Sequence, residues 1–255
     1  MKLPYSHLLL IAGLVLATSS LSPAPGSAQV VLGTAASFAV LAASTITNTG
    51  PTTIIGSVGL SPGTSITGMP GGQPTGGTIH VADGVAAQAQ LDLTAAYISL
   101  SGTACSSDMS GVDLGGLTLV AGVYCYTSSA QLTGTLTLNG QGDPNSVFIF
   151  KIASTLTTAS SASVIVTNGA QACNVYWLIG SSATLGVNVG TSSHITGNIL
   201  ALTSITLANG AILDGRALAR TGAVTLDSNR INMSPCSGPT AASRSTWGTV
   251  KAMYR

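Results

Sequence analysis

A chain of 255 residues fits one large domain or two small ones, yet charged side chains make up only 6% of it, against roughly 25% in ordinary soluble domains. Eight Lys and Arg face seven acidic residues, all of them Asp, so no basic stripe exists for nucleic acid or an anionic membrane. Aromatics at 4% leave no stacking platform for sugars or bases, and a surface this neutral gives up the solubility that charge confers, which suggests that charge is unwelcome on it.

The N-terminus reads as a secretory signal peptide. Lys2 is its positive region, Leu8 to Ala17 its apolar run, and Gly26-Ser27-Ala28 a small-residue cleavage site after Pro23 and Pro25. The apolar run is shorter than the roughly 20 residues of a membrane-spanning helix. The expected products are a signal peptide at 1–28 and a secreted protein starting at Gln29, with a domain over 29–236 and a flexible tail over 237–255. Trp247 in that polar tail is unexpected and leaves a sorting or anchoring role open.

Beyond Gln29 most of the chain reads as short strands, with apolar residues alternating with Thr, Ser and Ala between Gly, Asn and Asp turns. Examples are Thr133 to Leu138, Val147 to Ile152, Val164 to Thr167, Val175 to Ile179 and Ile199 to Leu207. One segment has the helical period: Val85, Ala89, Leu93, Ala96, Tyr97 and Leu100 recur at three- and four-residue steps. Asp83 would cap this helix over about 83–100 and Gly102 would stop it. Cys105, Cys125, Cys173 and Cys236 are an even set in an oxidising compartment, with no zinc-like spacing. Of three possible pairings, Cys105–Cys125 with Cys173–Cys236 is preferred because each ties a segment end to the body; free buried thiols are the alternative.

Internal repetition points to the architecture. Thr196-Gly197-Asn198 and Asp214-Gly215-Arg216 lie 18 residues apart, as do Ala201 and Ala219, and Thr203 and Thr221. A unit this short cannot fold alone, but stacked copies make a β-solenoid with parallel strands about 4.8 Å apart. A β-sandwich with chance similarity is the competing fold.

Aligned on their inward residue, the copies read Ser154-Thr155-Leu156-Thr157, Ser181-Ser182-Ala183-Thr184, Thr203-Ser204-Ile205-Thr206 and Gly222-Ala223-Val224-Thr225, and Ser44-Thr45-Ile46-Thr47 has the same shape. Strand alternation turns the second and fourth positions outward. The outward pairs are Thr45/Thr47, Thr155/Thr157, Ser182/Thr184, Ser204/Thr206 and Ala223/Thr225. Members of a pair would sit about 6.7 Å apart and neighbouring coils about 4.8 Å apart, a regular grid of hydroxyls and methyls. Thr has few rotamers, so little side-chain entropy is lost when such a grid engages a partner. A lattice of weakly hydrated groups can order water into an ice-like layer, whereas Lys or Glu would hold disordered hydration shells.

At these residues the chain resembles a family. Leu32 to Ala42, Gly56 to Gly63, the helix from Ala82 to Tyr97, Leu119 to Tyr124, Asp143 to Lys151, Asn174 to Trp177 and Gly197 to Ala201 are similar to blocks of the large microbial ice-binding protein family, in the right order over about 31–233. The resemblance implies a mainly β fold: a right-handed, discontinuous β-solenoid of triangular cross-section with one long α-helix packed alongside. It implies that the N-terminal strands join the stack out of order. It also implies that one flat face binds ice through strands following Thr-Ala/Gly-x-Thr/Asn. This chain departs from that pattern, with Ser at several positions and Ala223.

An ice crystal surface is therefore the expected partner, with no cofactor, metal, nucleic acid, membrane or small-molecule substrate, and a monomer is expected. An enzyme would need an assembled constellation. Asp214 with Arg216 reads as a turn ion pair, His80 and His194 lack a sequence-near partner, His194 reads as a turn residue, and Asp143-Pro144-Asn145 reads as a turn. The remaining rival is a secreted adhesin or structural solenoid, distinguished by whether the Thr pairs share one flat array or scatter over several faces.

Overall fold

The computed structural model describes residues 30–69, 73–186 and 193–233. The signal peptide, the cleavage site, Cys236 and the tail over 237–255 lie outside the described residues.

The chain winds into a β-solenoid in which every coil contributes short strands to faces built of parallel pairs. The 18-residue repeat is one turn of the winding: Thr196 pairs with Asp214, Asn198 with Arg216, and Ala201 with Ala219. On the next face of the same two coils the spacing grows by a residue, because Thr206 pairs with Thr225 across a bend that runs from Arg220 to Ala223. The strand expected over Ile199 to Leu207 is in fact the end of His194–Ala201 and all of Ile205–Leu207, separated by a bend that carries the chain from one face to the next.

The long strands His194–Ala201 and Ile212–Ala219 also turn a corner, at Gly197 and Gly215. Before the corner they join the sheet containing Ser163–Thr167; beyond it they join Val175–Ile179 and Phe38–Ala42. Gly197 has φ +117°, which favours glycine, and a Cβ on Gly215 would overlap the carbonyl oxygen of Gly197. The repeated Gly is what lets one strand serve two faces.

The N-terminal strands enter out of order. Phe38–Ala42 lies between Ile212–Ala219 and Ser57–Leu60, and Thr45–Thr49 lies between Val224–Asp227 and Ser65–Thr67. Arg216 fastens this junction from inside. Its Nε and Nη2 donate to the carbonyl of Ala36 at 2.9 and 2.8 Å, and its Nη1 donates to Asn198 Oδ1 at 2.7 Å. Asn198 in turn donates to the carbonyls of Cys173 and Val175. The expected Asp214–Arg216 ion pair does not form, since Arg216 is buried past the corner while Asp214 faces outward and bonds His194 Nε2 at 2.6 Å.

The helix spans Gly84–Ser101, with Asp83 accepting from the Ala86 N–H at 2.8 Å and Gly102 at its end. Ala86, Ala89, Leu93, Ala96 and Leu100 are its buried stripe, and the last four pack with Phe38, Leu41, Ile149, Tyr176, Leu178, Leu200 and Leu218. Val85, expected in that stripe, is exposed one position away from Ala86. Inside the solenoid, stacked rings of Tyr124, Phe150 and Trp177 run across successive coils at centroid distances of 5.4 and 4.1 Å. Cys105 and Cys125 form a disulfide, and Cys173 is disulfide-bonded.

Candidate functional site

The outer walls of the solenoid differ in character. One is covered by the helix. A second carries Thr135, Ser163, His194, Ile212 and Arg230 in successive coils, a mixture of hydroxyl, charged and apolar groups. The third is a sheet of seven parallel strands: Ala130–Leu132, Leu156–Thr158, Ala183–Leu185, Ile205–Leu207, Val224–Asp227, Thr45–Thr49 and Ser65–Thr67.

In this sheet one inward column runs Ala130, Leu156, Ala183, Ile205, Val224, Ile46, Ile66. All but Ile66 are buried, so the interior sets the register. The next position faces out and runs Gln131, Thr157, Thr184, Thr206, Thr225, Thr47, Thr67, which is six threonines in consecutive strands. One residue before the inward column lies a second outward line of Ser129, Thr155, Ser182, Ser204, Ala223, Thr45 and Ser65. All five expected pairs thus fall on one sheet, in register. The pair Thr45/Thr47 is inserted from the far end of the chain, between the strands ending the solenoid and Ser65–Thr67.

Ser65, Thr67, Ser129 and Gln131 extend the array and were missed from the sequence. Thr64-Ser65-Ile66-Thr67 has the same shape as the other segments, so a signal was there. Ser128-Ser129-Ala130-Gln131 hides its relation because Gln replaces the last Thr.

The two lines differ in how their hydroxyls are used. Ser182 Oγ accepts the backbone N–H of Ser204 at 3.3 Å, and Ser204 Oγ accepts that of Ala223 at 3.1 Å. Thr155 Oγ1 donates to Ser129 Oγ at 2.8 Å. The serines therefore tie one coil to the next, which gives a physical reason for Ser in place of Thr there. By contrast, the hydroxyls of Thr157, Thr184, Thr206, Thr225, Thr47 and Thr67 bond no group among the described residues. Their donors and acceptors are left to water. No charged residue interrupts either line.

Titratable groups lie off the two outward lines; Asp227, at the end of Val224–Asp227, accepts from Asn209 Nδ2 at 3.1 Å. His80 Nδ1 meets Asp83 Oδ2 at 2.8 Å and its Nε2 meets Thr78 Oγ1 at 2.7 Å, so His80 does have a partner three residues away. His194 opens a strand rather than occupying a turn. The Ala86 N–H and His80 hold Asp83 below the usual carboxylate range, and the Thr34 N–H and Gln88 do the same for Asp92. Asp143 accepts from the Asn145 N–H at 2.8 Å, as a turn residue should. Among the described residues no three His, Cys, Asp or Glu side chains gather as metal ligands.

Solenoid and sheet together define a discontinuous parallel β-solenoid, one sheet of which carries two uncharged, hydroxyl-rich lines of side chains. Residues 40–232 match the Ice-binding-like family, and the chain belongs to the ice-binding proteins. It is 52% identical over 224 residues to the ice-binding protein of Nostoc sp. (strain HG1), covering 88% of this chain and 81% of that one. Among solved structures, an ice-binding protein from an Antarctic biological consortium superposes with a TM-score of 0.75 at 46% identity, covering 80% of this chain and 90% of that one. The ice-binding protein of the Antarctic ascomycete Antarctomyces psychrotrophicus gives 0.76 at 43% identity, covering 81% and 98%.

Proposed function

We propose that this chain is a secreted antifreeze protein that adsorbs to ice through the seven-stranded Thr and Ser sheet, slowing ice growth and recrystallisation. The supporting observation is the column of six threonines whose hydroxyls bond no group among the described residues, set on strands whose register is locked from inside. Six inter-strand spacings of about 4.8 Å give an array about 29 Å long, with outward positions about 6.7 Å apart across it. Each hydroxyl can hold a water while the adjacent methyl keeps the layer from disordering. The Ser line fixes the strands so that these waters sit at repeating positions. Ice binding needs such a repeat because a crystal offers its own repeat and little else, and many weak contacts add only when the two agree.

Secretion rests on the N-terminal sequence and the disulfide, a bond typical of oxidising compartments. The test is direct. Purified protein lacking residues 1–28 should shape growing ice crystals and hold grain size in an annealed ice film. Ice indistinguishable from that in matched albumin would overturn the proposal.

A further inference from the structure

Arg220 occupies the bend between the helix-covered wall and the Thr sheet, three residues before Ala223. Its guanidinium carbon lies 4.5 Å from the centre of the Tyr97 ring, and its Nε is buried without a hydrogen-bond partner. The other inner cations are satisfied. Lys151 donates to the carbonyls of Ser101 and Thr103, and Arg216 donates to Ala36 and Asn198. Among the described residues no carboxylate is available to Arg220. Asp83, Asp92, Asp108, Asp113, Asp143, Asp214 and Asp227 all bond groups elsewhere. Arg220 also lines an open concavity of about 530 Å³ with Ala43, Ser44, Pro62, Gly63 and Thr221.

A partly desolvated guanidinium without a counter-charge is costly, and a planar oxyanion is the partner its donor fork fits best. We propose that this concavity is an oxyanion-binding site, taking a carboxylate or sulfate group on Arg220. The Ser44 hydroxyl stands at its rim for a further hydrogen bond, Thr221 Oγ1 already donating to the carbonyl of Leu202, and the aromatic support of Tyr97 holds the guanidinium plane in place. Two sources offer this chemistry: a free inorganic anion, and an acidic polysaccharide bearing uronate groups. The site adjoins the edge of the Thr sheet, so a polymer held there would be carried alongside that face without covering it.

The experiment follows the Arg Nε–Hε resonances of the protein lacking residues 1–28, at constant ionic strength, as sodium sulfate, sodium acetate or a galacturonate disaccharide replaces sodium chloride. The Arg220 signal should shift and saturate in the millimolar range while Arg230 stays put. Arg220→Gln should abolish the saturating response with an unchanged circular dichroism spectrum, and Arg220→Lys should weaken it. Saturation by the disaccharide at lower concentration than sulfate assigns the polysaccharide source, and the reverse order assigns the free anion. A linear drift no larger than that of Arg230 with all three salts would overturn the site, and so would a saturating response that persists in Arg220→Gln. Ice-film assays on the same samples keep this result separate from the fate of the Thr-sheet proposal.

Discussion

Thr206 is the fourth of seven positions in its column, with Gln131, Thr157 and Thr184 on one side and Thr225, Thr47 and Thr67 on the other. In Thr206→Tyr a phenol ring stands proud of the surface at that midpoint. The array is held rigid by its ladder, so it cannot bow around the ring; it can only rock onto one side. Three strands then keep contact and four lose it, including the one bearing the ring. If each strand contributes similarly, more than half of the adsorption free energy goes. Loss of only about 1.4 kcal/mol already means tenfold, so at least a tenfold rise is expected in the concentration needed to arrest recrystallisation. Folding should be indifferent, because Tyr suits strands and changes at surface positions of this kind stay within about 0.5 kcal/mol. Grain size in annealed ice films and a thermal melt are read together, with Ile165→Tyr on the mixed wall as control. Wild-type potency in Thr206→Tyr at an unchanged melting temperature would refute the assignment of the face, and an equal loss in Ile165→Tyr would move it.

Other expectations follow from the same structure. Thr67→Tyr places the ring at the end of the column, so its loss of potency should be smaller than that of Thr206→Tyr; an equal loss would mean that contact is concentrated at that end. Leu93→Ala empties a fully buried position between helix and solenoid and should cost about 2–5 kcal/mol in denaturant unfolding. The Cys105–Cys125 bond closes a separation of 20 residues, so the double Ser variant should lose about 3 kcal/mol, seen as a lower denaturant midpoint. Acid should destabilise through Asp83 and Asp92. Their folded pKa values lie below that of an ordinary Asp, so their contribution is complete above the ordinary value and disappears as pH falls through the folded pKa. Melting temperature should therefore decline on the acid side of about pH 4, and Asp92→Asn should flatten that decline.

Much of this could be read from the residues. The helix and its cap were legible because Ala89, Leu93, Ala96 and Leu100 repeat at the helical period behind Asp83. The stacked coils were legible because Gly197 and Gly215 recur where a corner admits no side chain. Those signals are local. The placement of Val85 was not, since Ala86 and Val85 both continue the period and packing against the solenoid chooses between them. Arg216 was misread for a related reason: two residues along a strand ordinarily share a face, but the corner at Gly215 separates Asp214 from Arg216. The order in which Thr45–Thr49 joins the sheet came from family resemblance, because no short-range pattern encodes a pairing with Val224–Asp227. The different duties of the Ser and Thr lines became visible only when the hydrogen bonds of Ser182 and Ser204 were in place.

The central claim, that the Thr sheet is the surface that meets ice, is tested most directly by growing a single-crystal ice hemisphere in fluorescently labelled protein. Wild type should deposit label in a pattern fixed to the crystal axes, and Thr206→Tyr should leave the hemisphere dark. A hemisphere equally bright with both proteins would contradict the claim.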